Sequence, residues 1–293
     1  MCAHTQNAGE EPRMSTNKVV LITGTSSGIG LATAIAAARA GFRTVATLRD
    51  PARAGALREA AAEAGVELDV RALDVTDAAS VASCVEGVLA DHGRLDAVVN
   101  NAGAGHVGTI ENGTVEDVRQ VMEVNFFGVV QVTKAALPHL REVGGRVVTV
   151  SSVGGVIGQP FNEAYCAAKF AVEGFLESLA PVAGAVGVGV HVVEPGAVAS
   201  EFVSNVGIDQ ERAVADAGPY GPALAGYLAR TNEAFANAAQ SPAEAAEVVL
   251  AALTEPRPAF RLQTSAAARG FAGVKLSDLD GSAVQRLTGA WIA

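Results

Sequence analysis

Cysteine is scarce in this sequence of 293 residues, which contains only Cys2, Cys84 and Cys166. The three stand far apart, and no CxxC pair or Cys/His cluster has the spacing of a metal site. The sequence therefore predicts neither a disulfide framework nor a bound metal. Isolated cysteines are typical of reduced thiols in the cytoplasm, where we expect the protein to be located.

Clusters of basic residues and long apolar runs are also missing. The formal net charge is -10 and the pI is about 5.0, so binding to nucleic acid is disfavoured. No apolar run approaches the ~18 residues that a membrane span needs, so none is expected. The polar residues 1–17 lack the apolar segment of a signal peptide. We expect them to form a flexible leader, with Met14 as an alternative initiator.

Small and aliphatic side chains are abundant, whereas large aromatic ones are few. Hydrophobic residues make up 49%, charged residues 18% and aromatic residues 5% of the chain. Such a composition predicts a sizeable core of closely packed helices and strands, and it disfavours extensive disorder.

Strand-like and helix-like segments alternate along the chain. We predict strands at 19–23, 43–48, 70–75, 95–100, 146–151, 188–194 and 259–263. We predict helices at 30–40, 52–64, 77–91 (with Thr76 as N-cap), 115–125, 129–142, 163–182, 222–238 and 242–254, a loop at 195–220, and nothing definite beyond 264. This order predicts an α/β fold in which residues 18–293 form a single domain. A doubly wound parallel sheet of about seven strands would be covered by helices on both faces.

A glycine-rich turn, TGTSSGIG, joins the first predicted strand to the first helix. Glycine allows the backbone to approach a pyrophosphate, and the N-terminus of the helix supplies unpaired N–H groups. The context favours a dinucleotide-binding turn over an ordinary βα turn. The predicted cofactor contacts in this turn are Gly24, Thr25, Ser27, Gly28, Ile29 and Gly30.

The end of the second strand, ATLRDP, indicates which dinucleotide is preferred. Folds selective for NAD place an acidic residue there to hold the ribose 2′-hydroxyl, whereas an arginine suits a 2′-phosphate. Leu48 occupies the position of the acid and Arg49 follows it, so NADP(H) is predicted over NAD(H). The alternative is that Arg49 only pairs with Asp50 on the surface.

Seven motifs occur in an order and at spacings that resemble one family. They are TGTSSGIG, LDV at 73–75, NNAG at 100–103, Asn125 in EVNFFG, SSVGG from 151, YCAAK at 165–169, and PG at 195–196. Between residue 18 and at least residue 263, the chain resembles the short-chain dehydrogenase/reductase family. Within the family it resembles the non-sugar-nucleotide group, and most of all its hydroxysteroid and retinol dehydrogenase branch. The resemblance implies an NADP(H)-dependent oxidoreductase that interconverts an alcohol and a ketone or aldehyde.

The resemblance implies that Asn125, Ser152, Tyr165 and Lys169 are catalytic. Tyr165 and Lys169 are four residues apart and share one face of a helix. The lysine charge should favour the phenolate, which makes Tyr165 the general acid/base. Ser152, 13 residues before Tyr165, is expected to orient the substrate oxygen. Asn125 is expected to hold a water that links Lys169 to solvent.

Further positions carry over from the family by motif. The expected cofactor contacts, besides the turn, Arg49, Tyr165 and Lys169, are Asp74 and Val75 at the adenine, Asn101, Ala102 and Gly103 at the adenosine ribose, and Pro195, Gly196, Val198 and Ser200 at the nicotinamide. Residues 197–240 should form a substrate lid, with Phe202, Tyr220, Tyr227 and Phe235 as candidate walls. Gln159 stands where steroid-handling relatives carry an apolar residue, which indicates a more polar or differently shaped substrate.

Two expectations concern partners and the alternative function. The family commonly forms homodimers or homotetramers through the helices that carry Asn125 and Tyr165, although the small-residue surface after Tyr165 also fits packing within one chain. A non-catalytic, NADP(H)-sensing binding protein of the same fold is the alternative. That alternative normally shows a broken catalytic set, and the set here is intact.

His106 is expected at the surface or in packing rather than in the substrate pocket.

Overall fold

A computed structural model describes residues 18–200 and 209–292, and the strands in these ranges form one parallel sheet. The predicted leader lies outside the described residues. The strands are β1 Val19–Thr23, β2 Arg43–Leu48, β3 Asp69–Ala72, β4 Ala97–Asn100, β5 Arg146–Val150, β6 Gly189–Glu194 and β7 Arg261–Gln263. Their order is β3-β2-β1-β4-β5-β6-β7, with every neighbouring pair parallel. The prediction of a seven-stranded parallel sheet is confirmed.

Helices cover both faces of this sheet, so the predicted doubly wound α/β fold is also confirmed. The α-helices are α1 Gly28–Arg39, α2 Gly55–Ala64, α3 Ala78–His92, α4 Val115–Met122, α5 Gly128–Val143, α6 Glu163–Gly184, α7 Gln210–Asp216, α8 Gly221–Ala238, α9 Pro242–Thr254, α10 Ala266–Ser277 and α11 Ser282–Gly289. The two helices predicted at 115–125 and 129–142 are joined by a π-helical turn, Glu123–Phe127, without an intervening loop.

The strands are apolar throughout because both of their faces are buried. Val19 and Leu21 pack into the core formed with α3, α5 and α6, whereas Val20 and Ile22 pack into the core formed with α1, α2 and α9. A strand covered on both faces needs apolar side chains at every position, which explains the continuous run VVLIT in β1.

The predicted N-cap of α3 is wrong by one residue. The Asp77 carboxylate accepts a hydrogen bond from the Ala79 N–H at 2.9 Å and caps the helix. Thr76 instead donates its N–H and its hydroxyl to Asp74 Oδ1, at 2.9 and 2.8 Å. Both residue types are good caps, so the sequence alone did not separate them.

The third strand is shorter than predicted. It ends at Ala72, the register partner of Leu48, where β2 itself ends. β3 is an edge strand with one neighbour, so its ladder cannot continue beyond that point. Leu73 and Val75 are still buried, which accounts for the apolar pattern that suggested a longer strand.

The predicted loop at 195–220 contains helical structure, and so does the tail. α7 lies inside the predicted loop and is capped by Asp209, whose carboxylate accepts from the Arg212 N–H at 3.1 Å. A 3-10 turn, Gly218–Tyr220, follows it. The glycine and proline content masked these short elements, which pack against α8 and are stabilised by that contact. After residue 264 the chain forms α10 and α11.

The sheet order brings β1 and β4 side by side, although β2 and β3 separate them in the chain. The connections therefore run in opposite directions from β1 and β4, and a crevice opens beyond their carboxyl ends. In folds of this type, ligands bind in this crevice. No helix in the described part of the chain is both long and apolar enough to cross a bilayer.

Candidate active site

The glycine-rich turn lies at this crevice, in close contact with the segment that follows β4. Gly24 has a φ of +70°, and a Cβ there would lie 2.7 Å from Cα of Ala102. A Cβ at Gly30 would overlap the Gly24 carbonyl and the Asn101 side chain. A larger residue would separate the turn from the β4 segment, so glycine is required at both positions.

Gly30→Ala should destabilise the protein by about 1 to 3 kcal/mol, because neither contacted group is the free end of a flexible side chain. Thermal unfolding of the cofactor-free protein measures this as a fall in Tm of several degrees. Gly55→Ala is the control, since Gly55 also begins a helix and a Cβ there meets nothing within 4 Å. Equal Tm values for the two variants would contradict the close packing of the turn.

The first turn of α1 leaves its N–H groups open toward the crevice. Ser27 is the N-cap residue with an extended backbone, and among the described residues its side chain makes no capping hydrogen bond. The turn contains no acidic side chain. An uncapped helix N-terminus beside a tight glycine turn fits the pyrophosphate of a dinucleotide.

Thr25 and Ile29 also make contacts that hold the turn in place. The Thr25 hydroxyl donates to the Thr47 carbonyl at 3.1 Å, and the Thr25 N–H donates to the same oxygen at 3.0 Å. Thr25 therefore anchors the turn to β2. Ile29 packs against the core formed with α1, α2 and α9.

The NNAG segment is tied to the turn by hydrogen bonds. Asn101 Nδ2 donates to the carbonyls of Thr23 and Gly24, at 3.0 and 2.9 Å. Thr23 Oγ1 accepts from the N–H groups of Asn101 and Ala102, each at 3.0 Å. Sequence reasoning missed Thr23, whose signal is its position directly before the first glycine of the turn.

The end of β2 presents Arg49 to solvent, and Leu48 is buried. Asp50 accepts from the Ala52 N–H at 3.0 Å and caps a 3-10 turn, and no described ion pair joins it to Arg49. The Thr76 N–H, followed by the Thr76 hydroxyl and the charge of Arg49, holds the pKa of Asp74 below its usual range. Arg49 and Asp74 therefore lie near each other at this end of the crevice.

Ser152, Gln159 and Tyr165 surround Gly154. A Cβ at Gly154 would lie 3.3 Å from Tyr165 Cε1 and 3.4 Å from both Gln159 Nε2 and Ser152 Oγ. Ser152 Oγ accepts from the Gly154 N–H at 3.0 Å and is also hydrogen-bonded to Tyr165. The three polar side chains predicted to meet the substrate are thus close together in the structure.

The two serines after β5 lie on opposite sides of the chain, as strand alternation requires. A Cβ at Gly155 would lie 2.6 Å from Ser151 Oγ and 2.9 Å from Glu173 Cγ. Ser151 therefore faces Glu173, whereas Ser152 faces Tyr165. Sequence reasoning missed Glu173, although its position four residues after Lys169 was a usable signal.

Lys169 is buried beside Tyr165. Its Nζ donates to the Val150 carbonyl at 3.0 Å and lies 5.8 Å from the centroid of the Tyr165 ring. Burial lowers the pKa of Lys169 to about 8, although the charge of Glu173 acts in the opposite direction. Burial raises the pKa of Tyr165 to about 12, partly opposed by the hydrogen bond from Ser152. In the protein alone the phenol is therefore protonated, and the lysine does not by itself produce the expected phenolate.

Asn125 is fully buried in the π-helical turn between α4 and α5. Its Nδ2 donates to the carbonyls of Ala104 and Val121, at 2.8 and 3.0 Å, and its Oδ1 accepts from the Ala104 N–H at 3.2 Å. A Cβ at Gly103 would lie 2.9 Å from Asn125 Oδ1 and 3.8 Å from Lys169 Nζ. Asn125 and Lys169 thus flank the same glycine, an arrangement the π-turn makes possible.

The segment after β6 lies between the site and the predicted lid. Val153 N–H donates to the Pro195 carbonyl at 2.9 Å. Val198 pairs with Gln240 in an isolated parallel bridge, which joins the start of the lid to its end. A Cβ at Gly28 would lie 3.2 Å from Ser200 Cβ, so Ser200 lies against the glycine turn.

Helix α8, in the predicted lid, contacts the segment before α6. Tyr227 is buried, its hydroxyl accepts from Asn162 Nδ2 at 2.6 Å, and its ring centroid is 5.7 Å from that of Phe161. Phe161 has a φ of +60°, which is rare for an aromatic residue and recurs at functional sites. Tyr227 was one of the predicted lid walls, whereas no sequence signal predicted its contacts with Asn162 and Phe161.

The other predicted lid walls are more open. Tyr220 is exposed, Phe235 is half-buried, and Phe202 lies outside the described residues. His106 is half-buried near Gly108, with no described hydrogen-bond partner for Nδ1, so its predicted place in packing or at the surface remains a prediction.

Comparison with known proteins identifies the family. Residues 18–211 match the family described as short chain dehydrogenase. The chain belongs to the short-chain dehydrogenase family. This dehydrogenase is 40% identical over 273 residues to human 17-beta-hydroxysteroid dehydrogenase type 1, covering 90% of the chain and 82% of that protein. It is 39% identical over 274 residues to retinol dehydrogenase 8 of Bos taurus, covering 90% of the chain and 87% of that protein.

Solved structures have the same fold. An alcohol dehydrogenase from the archaeon Thermococcus sibiricus, complexed with 5-hydroxy-NADP, matches with a TM-score of 0.68 and 29% identity, over 84% of this chain and 95% of its own. Others of the family hold NAD or NADP. The dehydrogenase is thus an oxidoreductase of the hydroxysteroid and retinol dehydrogenase branch that acts on CH–OH groups with a nicotinamide dinucleotide.

Proposed function

We propose that this dehydrogenase uses NADP(H) to interconvert a secondary alcohol and a ketone, or an alcohol and an aldehyde, with Tyr165 as the general acid/base. The observation that carries the proposal is the cluster of Ser152, Tyr165 and Lys169 beside the crevice at the ends of β1 and β4. A hydroxyl, a phenol and an ammonium are the groups that proton transfer to a carbonyl oxygen requires.

Each catalytic side chain has one role in this mechanism. Bound NADP(H) supplies or accepts the hydride. Ser152 Oγ is held in place by the Gly154 N–H, and its proton, which meets Tyr165 in the protein alone, turns to the substrate oxygen. During reduction Tyr165 gives its phenolic proton to that oxygen, and during oxidation it takes the proton back. Lys169 stabilises the phenolate with its charge, and Asn125 binds a water at Gly103 that links Lys169 to solvent.

The raised pKa of Tyr165 is consistent with a proton donor. With a pKa of about 12, the phenol holds its proton across the neutral range, which is the form that carbonyl reduction requires. Oxidation requires the phenolate, so it depends on positive charge near the ring. Lys169 is charged at neutral pH, because its pKa of about 8 lies above 7.

The preference for NADP(H) over NAD(H) rests on the end of β2. Leu48 offers no acceptor to a ribose hydroxyl, and Arg49 is exposed with no described ion pair to Asp50. The hydroxyl of Ser27, which makes no capping hydrogen bond, adds a second donor near this end of the crevice. A guanidinium and a hydroxyl suit a 2′-phosphate.

The remaining cofactor contacts stay as predicted from the family motifs. We assign direct contact to Gly24, Ser27, Gly28, Gly30, Arg49, Asp74, Val75, Asn101, Ala102, Gly103, Tyr165, Lys169, Pro195, Gly196, Val198 and Ser200. Thr25 and Ile29 then act by shaping the turn, since Thr25 is hydrogen-bonded to β2 and Ile29 packs into the core.

We expect Gln159 to select a substrate that is more polar than a steroid. Its carboxamide lies beside Ser152 and Tyr165, where it can donate to a second polar group of the substrate. An apolar substrate would leave this amide without a partner, which costs about 1 to 3 kcal/mol.

Gln159→Leu should therefore shift selectivity toward apolar ketones. We expect kcat/KM for a 17-ketosteroid, relative to a small polar diketone, to rise on the order of 10-fold. Gln120→Leu is the control, because Gln120 is exposed on α4 away from the site. An unchanged ratio in Gln159→Leu would show that the carboxamide does not contact the substrate.

Stopped-flow loss of NADPH absorbance, with a panel of ketones, aldehydes, steroids and retinoids, tests the proposed function. Turnover of any class supports it and defines the substrate. Tight NADPH binding without turnover on the whole panel would favour the sensing protein instead.

Assembly and location are further parts of the proposal. The exposed Phe127 of the π-turn and Phe170 of α6 offer apolar area for a homodimer or homotetramer. Sedimentation at several concentrations tests this, and a monomer at all of them would contradict it. Free, buried Cys84 and Cys166 are consistent with the cytoplasm. We also propose that residues 18–293 form one domain, in which residues 197–240 are the substrate lid.

A further inference from the structure

A cluster of buried charges lies on the side of α6 that carries the active site. Tyr165, Lys169 and Glu173 follow one another at intervals of four residues, so they form one stripe along the helix. Glu173 is 3% exposed, and Glu194, the last residue of β6, is fully buried. Carboxylates are rarely buried this completely unless they are paired.

Arg261 of β7 joins the two carboxylates. Its Nε lies 3.3 Å from Glu173 Oε2 and 3.2 Å from Glu194 Oε1, and its Nη2 lies 2.7 Å from Glu177 Oε2 at the surface. Gln263 Nε2 donates to Glu194 Oε2 at 2.9 Å. One half-buried guanidinium thus lies beside two buried carboxylates, and Lys169 is a buried cation of the same region.

The groups around Lys169 and Glu173 come from four segments of the chain. α6 contributes Tyr165, Cys166 and Glu177, the residue directly after β5 is Ser151, β6 contributes Glu194, and β7 contributes Arg261. α4 meets α6 with apolar side chains, so it adds no charge there. Within the described residues, Glu173 is the carboxylate whose charge acts on Lys169.

We propose that Glu173 is a positioning residue of this active site, whose carboxylate keeps the Lys169 ammonium protonated, and that Arg261 keeps Glu173 ionised for that purpose. The proposal rests on the proposed function only in treating Lys169 as the partner of Tyr165. It explains why a carboxylate is retained in a place where an apolar residue would pack at lower cost.

The net pKa of Glu173 lies above its usual value, so the contacts that favour its carboxylate matter. Burial raises the pKa of Glu173, and the Ser151 hydroxyl and Arg261 oppose that rise, whereas Glu194 adds to it. The Glu173 charge in turn raises the pKa of Lys169 against the effect of burial. Removing the charge of Glu173 should therefore lower the pKa of Lys169 below its present value of about 8.

NMR titration of lysines labelled with ¹³C at Cε measures this directly and needs no turnover. The chain contains four lysines, Lys18, Lys134, Lys169 and Lys275, so the spectrum is simple, and Lys169→Met assigns the signal of interest. We expect a midpoint near pH 8 for Lys169 in the wild-type protein, and a midpoint at lower pH in Glu173→Gln. Glu177→Gln is the matched control, since Glu177 contacts the same Arg261 but is exposed. The Lys169 midpoint in this variant should equal that of the wild type.

Activity provides the second readout. In Glu173→Gln the alkaline limb of kcat for carbonyl reduction should move to lower pH together with the Lys169 midpoint, while KM changes little.

A wild-type Lys169 midpoint of 10 or above, or the same Lys169 midpoint in Glu173→Gln as in the wild type, would overturn the proposal. If Glu173→Gln does not fold, Arg261→Met carries the same test, because a protonated Glu173 would also lower the Lys169 midpoint. If the wild-type protein shows no turnover, the proposed function is contradicted. The Lys169 titration still tests the role of Glu173 in that case, because it needs no turnover.

Discussion

Tyr165→Phe should lower kcat for carbonyl reduction by about 10²- to 10⁴-fold, the range expected when a general acid is removed. The substitution keeps the ring and removes only the hydroxyl that is hydrogen-bonded to Ser152. The substrate oxygen then loses its proton donor, and no other phenol is described within the site. Binding of NADPH should be nearly unchanged, because the dinucleotide is held mainly by the turn and the helix N-terminus.

Steady-state kinetics on a verified substrate and NADPH titration by fluorescence measure these two quantities. Tyr220→Phe is the matched control: Tyr220 is a predicted lid wall, but its phenol is 43% accessible to solvent and has no proposed part in proton transfer, so kcat of this variant should equal that of the wild type. Undiminished catalysis by Tyr165→Phe would remove the basis of the proposed mechanism.

Leu48→Asp combined with Arg49→Ala should reverse the cofactor preference, with a change on the order of 100-fold in the ratio of kcat/KM for NADPH to that for NADH. The new carboxylate repels a 2′-phosphate and accepts from a 2′-hydroxyl, and the lost guanidinium no longer binds the phosphate. Because Leu48 is buried, the variant should also be less stable, so Tm must be measured alongside the kinetics.

Arg53→Ala is the control for loss of positive charge, since Arg53 is exposed in the neighbouring 3-10 turn. It should leave the ratio unchanged. A wild-type enzyme that uses NADPH and NADH equally well would show that Arg49 does not select the cofactor.

Local patterns in the sequence were sufficient for most of the fold. Fully buried strands such as β1 need apolar side chains at every position, and the glycine turn has a spacing that only a close approach explains. The errors fall where one element depends on another. β3 ends where β2 ends, and α7 is stabilised by its packing against α8, so neither boundary was visible in its own segment.

Spacing along a single helix or strand determined the nearest neighbours in the site. Four residues place Lys169 beside Tyr165, and strand alternation separates Ser151 from Ser152. These relations hold in any tertiary context, because they follow from the geometry of one element.

Only the tertiary structure determined how these groups are charged and what supports them. Asn101 reaches Thr23 across 78 positions, Asn162 reaches Tyr227 across 65, and Arg261 reaches Glu173 across 88. A local pattern carries no information about such contacts, because they depend on which segments the sheet order brings together. The same holds for the pKa of Tyr165, since its burial raises this pKa and outweighs the hydrogen bond with Ser152.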